Sequence, residues 1–241
     1  PADEALFDAI PARRTNRLAF DAREPPPGLL AALIHEAAEL GAALRVVEQP
    51  ARPAVAALVA EGDRVEWSSS RFRAEVATWS RQGRSGALDG MPGYAQGLSG
   101  PAAVLLVRLH PDVGAEERRD RYYALHTRAL LALSTAGDRG QDWVAAGRAL
   151  QRVLLRAAAH GLSASYFSQA VEVPRLRAGL REALGERGHP QLLFRLGYGR
   201  ALAATPRRPP EEVLRAYRPT APGRALARRG ADPPGSEAAP P

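Results

Sequence analysis

Gln191-Leu192-Leu193-Phe194-Arg195-Leu196-Gly197-Tyr198-Gly199 is the stretch on which the fold turns. Its apolar run, bounded by Pro190 and the glycines, reads as a buried strand over Gln191–Tyr198. The chain then passes to Arg207-Arg208-Pro209-Pro210-Glu211-Glu212-Val213, an arginine-rich close to the ordered part. A second arginine cluster, Arg13-Arg14-Thr15-Asn16-Arg17, lies near the start. Forked guanidinium groups beside a hydroxyl suit a phosphate, because each arginine can donate two parallel hydrogen bonds to it. Each cluster also has a plain reading. The first would be a solvated basic helix end, where cations favour the negative end of the helix dipole; the second would be a basic linker.

The 241 residues suit one large domain or two small ones, and 45% hydrophobic residues suffice for a sizeable core. Cysteine is absent, which removes disulfides, thiolate metal sites and a cysteine nucleophile. All 33 basic residues are arginine, and the net charge is +7. From Arg200 to Pro241 eight arginines stand against four acids, so +4 of that excess sits in the tail. No nucleic-acid-binding motif accompanies the charge, and nucleic acid is not an expected partner. No signal-peptide pattern or bilayer-length apolar run is present, so no membrane association and a soluble, cytoplasmic location are expected.

Asp3 to Ile10 reads as a short amphipathic helix with Leu6, Phe7 and Ile10 on one face. Pro27 opens a helix whose stripe is Leu29, Leu30, Leu33, Ile34, Ala37 and Ala38, and Gly41 ends it. Ala43 to Val47 reads as a strand, Pro53 to about Ala60 as a helix, and Ser70 to Trp79 as another. Gln82 to Gly100 holds six glycines and reads as a long irregular loop, a lid or a connector. Ala102 to Val107 reads as a strand or an extended approach, and Leu130 to Ser134 as a buried strand. Trp143 to His160 is the strongest helix. Val144, Ala145, Leu150, Val153, Leu154, Ala157 and Ala158 nearly surround it, which predicts a central buried helix. Val173 to Leu184 is a further helix. The expected domain is 1–216, followed by a disordered Pro/Arg/Ala-rich tail over 217–241.

The order of motifs, R-R-[ST]-x-R, a long body, P-x-x-x-x-x-x-G-Y and R-R-P, resembles the FMN-dependent nitroreductase family from about Ala5 to Val213. The resemblance implies an α+β nitroreductase-like fold: a mixed, mainly antiparallel sheet flanked by helices, with a long central buried helix. It also implies an FMN-dependent NAD(P)H oxidoreductase that passes hydride through flavin N5 to a nitro-aromatic or quinone acceptor. On the family pattern Arg13 and Thr15, with Arg14 beside them, face the FMN phosphate or ribityl chain. Arg17 lies under the pyrimidine edge, where a fixed cation offsets charge on the reduced ring. Arg207 in R-x-P-x-E-E-V, with Arg208 next to it, is the second phosphate ligand. Gly161-Leu162-Ser163-Ala164-Ser165-Tyr166-Phe167 resembles the family's G-L-x-x-x-[WY] loop, which implies that backbone donors around Ser165, Tyr166 and Phe167 approach N5 and O4.

The resemblance breaks at Glu36 to Arg45. Flavin nitroreductases carry A-P-S-x-x-N-x-Q-P-W there and hold the isoalloxazine ring with it; here its serine, asparagine and glutamine are missing. The second half of the Acg-type proteins, which fuse two nitroreductase-like halves, is similar in this respect. It resembles this chain at Arg13–Phe20, Ser134–Arg152 and Pro190–Gly199. The expected partner is therefore a second copy, giving a homodimer, or a missing N-terminal half, with a small-molecule electron acceptor. Two alternatives stand beside the oxidoreductase: a non-catalytic member that binds or sequesters flavin, and an arginine-driven interaction module. The five histidines show no metal spacing, and Gly161-Leu162-Ser163-Ala164-Ser165 lacks the second glycine of a serine-hydrolase elbow. Neither a catalytic side chain nor a metal ligand is expected.

Overall fold

The computed structural model describes residues 2–81, 88–96 and 113–214. In chain order these form α1 (Ala2–Ala12), α2 (Pro27–Glu39), β1 (Ala43–Val46), α3 (Arg52–Ser68), α4 (Ser70–Trp79), β2 (Ser80–Arg81), β3 (Met91–Pro92) and a 3₁₀ turn (Gly93–Gln96). There follow α5 (Val113–His126), β4 (Ala129–Thr135), α6 (Gly140–Ala159), β5 (Ser163–Tyr166), α7 (Gln169–Glu172), α8 (Pro174–Ala183), β6 (His189–Gly197) and α9 (Pro210–Val213). The chain divides into a unit ending at Arg207 and a second beginning at Arg208, whose described part is the single turn of α9 and its flanks. The expected strand at Ala102–Val107 and the tail over 217–241 lie outside the described residues, as does much of the Gln82–Gly100 loop.

The main sheet has the order β1-β4-β6-β5, and every neighbouring pair is antiparallel. Alternation along β4 divides the core in two. Ala129, Leu131 and Leu133 face α2 and α6; Leu130 and Ala132 face α3, α5 and α8. Both faces of the central strands are thus buried, which is why β4 and β6 read as continuous apolar runs rather than alternating ones. The architecture is α+β, as the motif order implies. All four strands of the main sheet pair antiparallel; among the described residues the parallel pairings are the two-residue β2–β3 ladder and the isolated Thr15–Ala164 bridge.

Three expectations change. The helix α6 buries Ala146, Ala149, Val153, Leu154 and Ala157 against the sheet and α2 and Leu155 against α1, whereas Trp143 and Val144 stand 57% and 64% exposed. Its solvent side is formed by Trp143, Val144, Gly147, Arg148 and Gln151, so counting Val144 toward the core overstated its enclosure. On α1 the buried pair is Leu6 and Ala9 against Leu155, and Phe7 and Ile10 are exposed at 72% and 54%. The helix meets the domain along an i, i+3 line, leaving the neighbouring positions turned outward. The stretch Gly161–Phe167 is no loop: Ser163–Tyr166 pair with β6 in register Ser163↔Gly197 through Tyr166↔Phe194.

Candidate functional site

The segment Arg13–Phe20 is a docked arm. Arg14 donates from Nη1 to the carbonyls of Pro11 (2.5 Å) and Arg13 (2.9 Å), closing the end of α1. Thr15 bridges Ala164 of β5, and the Asn16 N–H donates to the Ala164 carbonyl at 2.9 Å. The buried Asn16 amide donates to the Arg200 carbonyl (3.0 Å) and accepts from the Leu18 N–H (3.0 Å). The Gly-Tyr-Gly motif has a steric reason. A Cβ at Gly197 would meet the Phe20 ring at 2.5 Å, and one at Gly199 would meet the Asn16 amide at 2.7 Å. Side chains at these two positions would push the arm off the sheet.

Arg195 pins the arm from beneath. It is a central-strand arginine only 1% exposed, with its guanidinium 4.1 Å from the Phe20 ring centre and 4.2 Å from that of Tyr123. Its Nη2 donates to the carbonyls of Leu18 (2.8 Å) and Arg17 (3.3 Å). Burial pushes its pKa down to about 10. The arm's backbone is thereby fixed at the residue from which the Arg17 side chain leaves.

Two cavities meet at Arg17 and Met91, which line both. The first, about 190 Å³, is walled by Arg13, Arg14, Thr15, Arg17, Leu202, Ala203, Thr205 and Arg207 with Met91 and Ala95. Arg207 donates to Thr205 Oγ1 at 2.6 Å. Among the described residues neither the Arg13 nor the Arg17 guanidinium has a hydrogen bond or ion pair. Burial lowers the Arg17 pKa, the mark of a cation short of compensation. Such a cavity favours an anion.

The second cavity, about 200 Å³, carries the opposite charge. Asp63 and Glu66 reach it from α3, and Glu116, Arg119 and Asp120 from α5. Ser165, Tyr166 and Gln169 come from β5 and α7; Trp67, Phe72 and Val76 supply apolar wall. Arg119 is committed to Glu116 (Nη1 to Oε1, 2.9 Å) and Asp120 (Nε to Oδ1, 2.9 Å). Asp63 is 5% exposed; its Oδ1 accepts from Gln169 Nε2 at 3.0 Å, and its buried Oδ2 has no hydrogen-bond partner. Burial, then the charges of Asp120, Glu116 and Glu66, pushes the Asp63 pKa up to about 8. Glu66 is pushed up to about 7 by burial and by Glu172. A cavity alone holds less than the roughly 300–1,000 Å³ usual for ligand pockets; a ligand of ordinary size would use both.

The structure thus brings Arg13, Arg14, Thr15, Arg17 and Arg207 together in one cavity and places Ser165 and Tyr166 in the other. Phe167 lines neither. It is 1% exposed in the core, and its N–H donates to the Leu193 carbonyl at 2.8 Å. Arg208 is exposed within the second unit. The stretch Glu36–Arg45 forms the end of α2, a turn at Gly41 (φ 83°) and the start of β1, and lines neither cavity. There Glu36 pairs with Arg156 at 2.7 Å. Sequence reasoning missed Asp63, Glu66, Asp120, Gln169 and Arg195. One signal was available: Asp63 lies four residues after Val59 and eight after Val55 on the buried stripe of α3, and an acid on such a stripe marks a polar site.

No protein-family model matches the chain. It is 34% identical over 226 residues to two proteins named "Putative NAD(P)H nitroreductase", from Mycobacterium tuberculosis strains CDC 1551 / Oshkosh and ATCC 25618 / H37Rv. The matches cover 89% of this chain and 64% of each relative, so the chain spans less than two thirds of their length. Among solved structures, the FMN-dependent nitroreductase NfnB from Mycobacterium smegmatis, in complex with NADPH, is similar with a TM-score of 0.57 at 19% identity. That match covers 90% of this chain and 100% of the other. The FMN and NADPH-dependent NfnB from sphigopyxis sp. strain HMH gives a TM-score of 0.56 at 19% identity, over 89% and 98% of the two chains. The chain has the nitroreductase fold.

Proposed function

We propose that this homologue of NAD(P)H nitroreductases is an FMN-dependent NAD(P)H oxidoreductase that passes hydride to a nitro-aromatic or quinone acceptor. The observation that carries the reading is the meeting of Arg13, Arg17 and Arg207, from the two ends of the domain, around one cavity. Uncompensated guanidinium groups on a docked arm are suited to a phosphate dianion. Arg13 and Arg207, with Thr15, would hold the phosphate. Arg14 spends Nη1 on the end of α1, so it serves first to fix the arm. The ring would lie toward the second cavity, past Arg17 and against Ser165 and Tyr166. Bound there, FMN supplies reversible hydride transfer at N5. Arg17 would stabilise negative charge on the reduced ring, and Trp67, Phe72 and Val76 would exclude water.

A partner completes this reading: a second copy, or the half that Acg-type relatives carry on the same chain. Phe7 and Ile10 on α1, exposed at 72% and 54%, give such a partner apolar surface to cover.

An FMN titration followed by flavin fluorescence quenching, with NADPH added at the end, tests the proposal. Saturable binding followed by bleaching is expected. A second reading, a member that holds flavin without turnover, is favoured by the missing ring-binding segment, since Glu36–Arg45 lies away from both cavities. Binding without bleaching would select it; no binding to the chain or its dimer would sink both.

A further inference from the structure

The oxidoreductase reading assigns no source for the proton that accompanies hydride, and the acidic cavity holds a group placed to give one. Asp63 presents its two oxygens differently. Oδ1 accepts from Gln169 Nε2 at 3.0 Å, which suits the carbonyl oxygen of a neutral acid. Oδ2 is buried, has no partner, and belongs to a side chain that lines the cavity. A carboxylate oxygen left bare at 5% exposure is costly, whereas a neutral acid avoids that cost and presents its proton once the carboxyl group turns toward the cavity that its side chain lines. Gln169 can approach because α3 has Gly62 at the contact: a Cβ there would meet Gln169 Cγ at 2.8 Å.

We propose that Asp63 is a general acid of this cavity, carrying on Oδ2 the proton that an acceptor takes up as it is reduced. This rests on the oxidoreductase reading. A quinone given a hydride, with its two electrons, by the FMN that this reading assigns would be left as an oxyanion. The Oδ2–H bond of Asp63 breaks, an O–H bond forms on the acceptor, and hydroquinone and an aspartate result. Glu66, one turn further along α3 and half-buried in the same cavity, gives the proton a route back from solvent.

The surroundings keep the proton in place near neutral pH. Glu66 shares the helix; Glu116 and Asp120 face Asp63 from α5, with Arg119 spread between them, and Tyr166 and Arg17 line the cavity from β5 and the arm. Asp120 and Glu116 already share the Arg119 guanidinium, so a carboxylate at position 63 would face their charges with no cation of its own, and burial together with those charges pushes its pKa up to about 8. Donation then requires the acid form, so turnover of a proton-requiring acceptor falls as pH rises through about 8.

The experiment uses the FMN-loaded chain, Asp63→Asn, and two acceptors: a quinone, which takes up protons, and ferricyanide, which takes an electron and none. Asp63→Asn preserves an oxygen for Gln169 to donate to. The quinone-to-ferricyanide turnover ratio is expected to fall about a hundredfold or more, and the fall of wild-type quinone turnover near pH 8 to disappear. A ratio unchanged by Asp63→Asn overturns the assignment. In parallel, difference infrared spectroscopy of the cofactor-free chain should show a protonated carboxylic acid at pH 7 that Asp63→Asn removes. Its absence overturns the assignment whatever the turnover. A wild type inert toward both acceptors while the infrared band is present would overturn the oxidoreductase reading and the donor role with it, leaving the buried acid itself established.

Discussion

On one side of Arg17 and Met91 lie arginines contributed by the two ends of the domain; on the other lie carboxyl groups carried by α3 and α5 from its middle. The arginine cavity keeps its charges, because a guanidinium cannot lose its proton at ordinary pH and so remains in want of an anion. The acidic cavity can shed its charge by binding protons, and Asp63 and Glu66 do so with pKa values of about 8 and about 7. Two cavities of nearly equal size thus resolve burial of charge in opposite ways. One is arranged to receive charge from a ligand; the other holds protons in reserve.

The largest test of this contrast is Arg13→Ala combined with Arg207→Ala. Each lost charge-assisted bond is worth about 1.5–3 kcal/mol, so FMN affinity should fall on the order of a thousandfold while circular dichroism shows the fold intact. Retained affinity would mean the arginine cavity is not the phosphate site. Next comes stability against pH for Asp63→Asn. The folded-state pKa of Asp63 is raised from 3.8 to about 8, so its neutral form stabilises the fold fully below about pH 4 and that contribution is lost as pH rises through 8. Urea denaturation should show Asp63→Asn close to wild type at pH 4.5 and more stable by a few kcal/mol at pH 9. Equal stability at both pH values would show that the wild-type group is an ordinary carboxylate.

A smaller effect is expected at the shared wall. Arg17→Ala should slow FMN reduction by NADPH about tenfold, as loss of one stabilising cation in a partly buried site allows, and weaken FMN binding less than that. An unchanged reduction rate with weakened binding would move Arg17 wholly to the phosphate side. The smallest effect is none. Truncation after Ala216 removes much of the arginine excess of the tail yet should leave FMN affinity unchanged. Loss of binding in that variant would instead favour an arginine-driven interaction module.

How much of this was legible depends on how each feature is encoded. Ala43–Val46, Ala129–Thr135 and His189–Gly197 were readable as strands within a residue or two, because their apolar runs are local. Helix α4 was readable for the same reason, through its start after Ser69 and its end at Trp79. Helix α3 extends to Ser68, well past its expected end near Ala60, because its last two turns are polar toward a cavity rather than apolar toward a core. Helix α5 was not foreseen at all. Its sequence is dominated by charges and tyrosines, with Ala124 fully buried, so it shows no stripe. Strand β5, Ser-Ala-Ser-Tyr, is short and weakly apolar, and only its pairing with β6 makes it a strand.

The sequence by itself determined the strands and helices that carry local apolar patterning, the two arginine clusters and the glycines on which the arm docks, because these depend on residue type and local spacing. Tertiary structure alone decided that the clusters face one cavity, that Arg195 lies beneath the Arg13–Phe20 arm, and that Asp63 is buried beside Asp120 and Gln169. It also decided which face of α6 and α1 meets solvent. The physical reason is that desolvation and charge–charge interaction depend on separations in space between groups remote in sequence. An aspartate on a helix is an ordinary surface residue until a second helix brings two more carboxyl groups and excludes the water.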